Sequence, residues 1–158
     1  MLRKVERQGT VREGLGHFAI VASQYNACYV DALVRNAGSE LARAGVRGRQ
    51  LKVVRVPGAF EIPVVAATLA RSHAPRLSAI LCLGVILQGE TDHARHLGDA
   101  VSWALAHLQL VHQIPVIHGV YLFNNEQQAR VRCLERTHNR GMELARTALA
   151  MARVMRTL

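Results

Sequence analysis

Large aromatic rings are scarce: three Phe, three Tyr and one Trp make up 4% of the 158 residues. A core built on stacked rings is excluded, so Ala, Val, Leu and Ile must fill the interior. Cysteine is rarer still. Cys28, Cys82 and Cys133 are odd in number and have no paired spacing, which argues against a disulfide framework or a zinc knuckle and for reduced thiols in the cytoplasm. The longest apolar run, Ala79–Leu87, falls far short of the ~18 residues of a membrane span. Met1–Glu13 is charged and lacks the apolar region of a secretory signal. A water-soluble, cytoplasmic chain with no membrane partner is expected.

Acidic residues are also few, 11 against 20 Lys and Arg, for a formal charge of +9. Such a balance raises the question of nucleic acid. The arginines, however, are scattered through expected helices, without aromatic interleaving and with only short clusters such as Arg43–Arg49. The charge reads as a solvated face with some attraction for anionic substrates, and no nucleic-acid partner is expected.

What the chain does have is regular alternation. His17–Ser23 and Leu51–Val56 read as strands, Ala79–Leu87 as a strand buried on both faces, and Ile114–Leu122 as a fourth. Between them, Val30, Leu33, Val34, Ala37, Leu41 and Ala44 recur at helical spacing, as do Leu97, Val101, Ala104, Leu105, Leu108 and Val111. A shorter helix is expected from about Phe60 to Ser72, with Pro63 accommodated in its first turn. Two more are expected over Asn125–Glu135 and Gly141–Thr157, the last buried along Leu144, Ala148, Met151, Ala152 and Met155. The fold class is therefore α/β, a four-stranded parallel sheet between helical layers, in a single domain over 17–158 preceded by a flexible arm over 1–16.

Ligands of an open parallel sheet bind beyond the carboxyl ends of the strands. Those positions here carry Tyr25-Asn26, Pro57-Gly58-Ala59-Phe60-Glu61, Gln88-Gly89-Glu90-Thr91-Asp92-His93, and, within the fourth strand, His118-Gly119. The Gly89-Glu90-Thr91 turn opens a long helix, whose free N–H groups and dipole suit a phosphate, with Thr91 as the expected N-cap. His93, in the first helical turn, can exchange protons near neutral pH. Tyr25 can stack on a planar heterocycle, and Glu61 can accept hydrogen bonds from sugar hydroxyls or offset the dipole of the helix it begins. Arg132 and Arg140 flank an expected helix break and can bind phosphate or simply face solvent. Asp92, His93, His96 and Asp99 can be read as metal ligands, but no third ligand stands at a diagnostic spacing, and no metal is expected.

In this order the residues resemble the lumazine synthase family. Three segments carry the match: Val56-Pro57-Gly58-Ala59-Phe60-Glu61-Ile62-Pro63, Gly84 through His93, and Asn125–Arg132 followed by Asn139-Arg140-Gly141. The resemblance runs from about His17 to the C-terminus and implies a flavodoxin-like three-layer sandwich. It further implies an enzyme of riboflavin biosynthesis that condenses 5-amino-6-(D-ribitylamino)uracil with 3,4-dihydroxy-2-butanone 4-phosphate, releasing phosphate and water, without cofactor or metal. By the same resemblance, Tyr25, Asn26, Gly58, Ala59, Phe60, Glu61, Val85, Ile86, Leu87 and His118 bind substrate. Gly89, Glu90, Thr91, Arg132 and Arg140 bind phosphate, and His93 transfers protons.

The resemblance also implies a homo-oligomer built from pentamers. His118, Arg132 and Arg140 then come from a neighbouring subunit, and the N-terminal arm extends a neighbour's sheet. This sequence departs from the family at His118, which stands where a phenylalanine is usual, and at Gln88, where Arg or Lys is common. Arg140 replaces a frequent lysine, and Tyr121-Leu122-Phe123 a threonine-containing stretch. Two other readings stay open at this stage: an archaeal-type riboflavin synthase, and a catalytically weak shell protein that binds lumazine or flavin.

Overall fold

The computed structural model describes residues 14–158; most of the arm expected over 1–16 lies outside the described residues. Of its last residues, Leu15 packs against the core, and the Gly14 carbonyl accepts a hydrogen bond from Arg156.

Four strands, β1 (Phe18–Ser23), β2 (Leu51–Val56), β3 (Ala79–Leu87) and β4 (Val116–Phe123), form one parallel sheet in the order β2-β1-β3-β4. This is the expected flavodoxin-like arrangement. β1 and β3 occupy the centre, and accordingly they are buried almost throughout. β2 and β4 lie at the edges and expose some positions, Lys52 and Val53 in β2 and His118 and Leu122 in β4.

Both faces of the sheet are covered. α1 (Ala27–Ala44), α4 (Glu126–Cys133) and α5 (Arg140–Arg156) sit on one side, where Phe18, Ile20, Leu81 and Leu83 meet Leu33, Leu41, Ala145 and Ala148. α2 (Ile62–Ser72) and α3 (His93–His112) sit on the other, where Val21, Ile80 and Val120 meet Ile62, Ala66, Val101 and Leu105. Pro63 falls in the first turn of α2, where its missing N–H costs no helical bond. Gly45 ends α1 in the left-handed region, and the following Val46 N–H reaches back to the Leu41 carbonyl in a Schellman closure.

Three positions of the expected helical stripes are exposed. They are Ala44, the last residue of α1, and Val111 and Met155, each in the last turn of its helix; Val111 borders a shallow groove between α2 and α3. Close approach at two glycines lets α5 seat where it does. A Cβ on Gly119 would stand 2.6 Å from side-chain atoms of Leu83 and Leu144, and one on Gly141 would stand 2.5 Å from the Leu33 carbonyl oxygen of α1.

Candidate active site

A cavity of about 870 Å³ opens beyond the carboxyl ends of β1, β2 and β3, on the α2–α3 side of the sheet. It is of the size that takes a drug-sized ligand. It lies where a doubly wound sheet leaves a crevice, since the chain crosses from β1 to β2 on one side and to β3 on the other.

Each wall has a local cause. β1 ends at Ser23, and the chain continues alongside β2 through bonds from Gln24 N–H to Val56 O (2.7 Å) and Tyr25 N–H to Pro57 O (3.1 Å). Asn26 then adopts the left-handed conformation (φ 56°), which asparagine tolerates better than most residues. Its side-chain amide donates to the Val85 carbonyl at 2.7 Å, which ties the turn to the end of β3. Tyr25 is left largely exposed, its ring free at the mouth.

After β2, Gly58 leads into a single 3-10 turn, Ala59–Glu61. The Glu61 carboxylate accepts the Gly58 N–H at 2.9 Å, so Glu61 fixes its own loop and begins α2. Ala59 is buried, while Phe60 stands out at 65% exposure over the opening. Val85, Ile86 and Leu87 supply the floor from β3.

After β3 comes the exposed turn Gly89-Glu90-Thr91. Gln88 folds over it, its side-chain amide donating to Gly89 O (3.1 Å) and Thr91 O (2.8 Å). The departure at Gln88 thus serves to staple the turn. α3 begins at His93 with Asp92, not Thr91, at the N-cap, and Asp92 makes no side-chain cap. The expectation for Thr91 is corrected accordingly: it stands one residue earlier, because the tight turn takes one more residue to reach helical geometry. Its hydroxyl accepts the His93 N–H at 3.4 Å. The N-terminal end of α3 beside the turn remains available to an anion.

α3 forms the remaining wall through His93, Ala94, His96, Leu97 and Ala100. Of these, sequence reasoning placed only His93 in a substrate site and considered His96 solely as a metal ligand. The i, i+3, i+4, i+7 spacing from His93 was the signal that could have found His96, Leu97 and Ala100. Among the described residues, no three His, Cys, Asp or Glu side chains converge in a way that could hold a metal ion.

Three expected site residues lie apart from this cavity in the single chain. His118 projects from edge strand β4 and packs against α3, its Nε2 2.7 Å from the Ser102 Oγ. Its Nδ1 accepts the Val120 N–H (3.3 Å), so Nε2 carries the proton and donates to Ser102, whose hydroxyl in turn donates to Gly98 O (2.8 Å). Partial burial holds this imidazole below its ordinary pKa, against a weaker backbone hydrogen bond that raises it. Arg132 lines a separate depression with Phe123, Gln127, Gln128 and Val131. Arg140 pairs with Glu143 one turn along α5. Buried Cys82 and Cys133 have thiols pushed up to about 12, chiefly by burial, and so serve as small apolar fillers.

Comparison with known proteins follows this geometry. The family model for 6,7-dimethyl-8-ribityllumazine synthase matches residues 16–156. A protein of that name from Stenotrophomonas maltophilia (strain R551-3) is 39% identical, the match covering 89% of this chain and 90% of the relative. One from Coxiella burnetii (strain RSA 493 / Nine Mile phase I) is 35% identical over 89% and 91%. One from Xanthomonas oryzae pv. oryzae (strain PXO99A) is 36% identical over 96% and 97%. With its sheet order, its strand-end cavity and these matches over nearly its whole length, the chain belongs to the 6,7-dimethyl-8-ribityllumazine synthase family.

Proposed function

We propose that this cavity condenses 5-amino-6-(D-ribitylamino)uracil with 3,4-dihydroxy-2-butanone 4-phosphate to give 6,7-dimethyl-8-ribityllumazine, phosphate and water. One observation carries the reading. Tyr25 and Asn26, Gly58 through Glu61, Val85 through Leu87 and His93 come from four separate stretches of chain, and all line one cavity.

The chemistry suits so small a set of groups. An amine adding to a ketone, and a phosphate leaving, need orientation, proton transfer and anion stabilisation. Tyr25 stacks on the pyrimidine, and Asn26, Ala59 and Phe60 hold it. Glu61 accepts from ribityl hydroxyls while bracing its own loop. The Gly89-Glu90-Thr91 turn and the start of α3 hold the phosphate, and His93 moves protons beside it.

His118, Arg132 and Arg140 enter this scheme from the adjoining subunit of a pentamer. Support for association comes from the outer face of α2 and α3, where Val64, Trp103, Leu110 and Val111 are exposed beside a shallow apolar groove. An apolar patch of that kind marks an interaction surface. Edge strand β2, with Lys52 and Val53 exposed, is open to pairing by a neighbour's arm. The working unit is then the domain 17–158, assembled in the cytoplasm.

The test is to supply the purified protein with the two substrates and follow lumazine absorbance, with chromatography of the products. Lumazine formed only when both substrates are present is the expected result. Riboflavin formed from lumazine alone, or flavin bound without turnover, would overturn the reading.

A further inference from the structure

The proposed chemistry employs one histidine of the cavity, yet α3 brings two. His93 and His96 stand one helical turn apart on the face that lines the cavity, followed by Leu97 and Ala100. Side chains at this spacing have Cβ atoms roughly 5–6 Å apart, so one bound substrate can touch both rings. Both residues are exposed. The rings of His73 and His118 are tied to the Pro75 carbonyl and to Ser102. Among the described residues, neither cavity imidazole is held by such a partner.

We propose that His96 is a second proton-transfer residue of this cavity, acting with His93 as an acid–base pair on the same dehydration step. The proposal rests on the condensation reading above. Addition of the amine to the ketone gives a carbinolamine, which must lose water to become an imine. As the C=N bond forms, a neutral His93 ring takes the nitrogen's proton. As the C–O bond breaks, a protonated His96 ring gives its proton to the departing hydroxyl, which leaves as water. One proton enters the pair and one leaves it, so the two rings exchange protonation states. A proton passing between them through water restores the starting state. A single histidine would take the nitrogen's proton and then carry that same proton to the hydroxyl, one transfer after the other, whereas two rings make both transfers together. Glu61 and Tyr25 share the cavity with the pair, and Asp92, Arg95 and Asp99 flank it at the start of and along α3.

The experiment measures kcat and both KM values across the neutral pH range for the full-length assembled protein and for H96N and H96Q, with added imidazole tested on H96A. The expected result is a fall in kcat of about 10–100-fold, at or below the low end of what general acid–base catalysis contributes. Both KM values should stay within about twofold of wild type, one limb of the kcat–pH profile should be displaced, and imidazole should restore part of the H96A rate. Wild-type kcat and an unchanged pH profile in H96N or H96Q would overturn the role. So would a rise confined to the KM of the phosphorylated ketone, which makes His96 an anion contact, or a fall in kcat with neither a displaced profile nor imidazole rescue. Lumazine formation by the wild type with no effect of the variants removes His96 alone, whereas a wild type that makes no lumazine removes the condensation reading with it.

Discussion

The exposed imidazole of His93, at the start of α3, carries the proposed chemistry at residue scale. His93→Ala should lower kcat by about 10²–10⁴-fold, with a much smaller change in the KM for the pyrimidine, because proton transfer is lost while the stacking and ribityl contacts remain. Steady-state kinetics on the assembled variant checks this, and an unchanged kcat removes His93 from the mechanism. Asn26 carries two separable duties, a left-handed backbone and a bond to Val85 O. Asn26→Gly keeps the first and loses the second, whereas Asn26→Ala loses both. Asn26→Ala should therefore be the less stable of the two by about 1 kcal/mol in denaturant titration.

These residues were legible in the sequence because each follows a strand, where an α/β sheet must place its ligand groups. His96 was not, since an exposed helical histidine looks alike whether it faces a cavity or solvent, and only the neighbouring strand ends decide which. Thr91 was misplaced by one residue for a related reason. A Gly-x-Thr turn announces a helix start, but whether Thr91 or Asp92 takes the N-cap depends on how tightly the turn closes, and Gln88 helps to close it.

Between elements, the closest fits are those of α5. Gly119→Ala would push a methyl group into Leu83 and Leu144, and Gly141→Ala into the Leu33 carbonyl, so each should cost about 1–3 kcal/mol as overpacking. The Gly141 variant should cost more, because its closest clash, at 2.5 Å, is with backbone, whereas Gly119 meets leucine side chains at 2.6 Å and backbone, the Cys82 carbonyl, only at 2.9 Å; equal, negligible losses in thermal or chemical unfolding would contradict this.

α1 and α5 are also joined by an ion pair, Arg146 Nε to Glu40 Oε1 at 2.8 Å, with Glu40 buried to 9% exposure. The Arg146 hydrogen bond holds the Glu40 carboxyl below its ordinary value of 4.5, against burial, which raises it. A carboxyl lowered on folding stabilises the protein above its unfolded pKa and loses that contribution as pH falls through the folded one. The stability gap between wild type and Glu40→Gln should therefore be full at neutral pH and shrink as pH drops below about 4.5. A gap independent of pH would assign the loss to packing. Neither the glycine contacts nor this pair was legible beforehand, because both join residues far apart in the chain. The strands and helices themselves were, since apolar periodicity is a local signal. The exposure of Ala44, Val111 and Met155 escaped it, because periodicity does not say which neighbour, if any, covers a given turn of a helix.

The whole molecule poses the remaining question, since His118, Arg132 and Arg140 do not line the cavity their own chain forms. In the proposed pentamer they meet a neighbour's cavity instead. Arg132→Ala should then raise the KM of the phosphorylated ketone far more than that of the pyrimidine, and equal effects on both substrates would argue for a structural part. Nothing within one chain could make this arrangement visible, because its logic lies between copies. The most direct measurement is complementation. His93→Ala and Arg132→Ala proteins are dissociated together, reassembled and assayed for lumazine at a concentration of the phosphorylated ketone too low for the Arg132 variant to turn over by itself, with mixing verified by mass. Mixed rings contain some boundaries where an intact His93 faces an intact Arg132, and the account predicts that partial lumazine synthesis returns. Verified mixing with no recovered synthesis, or a wild-type protein that sediments as an active monomer, would contradict it.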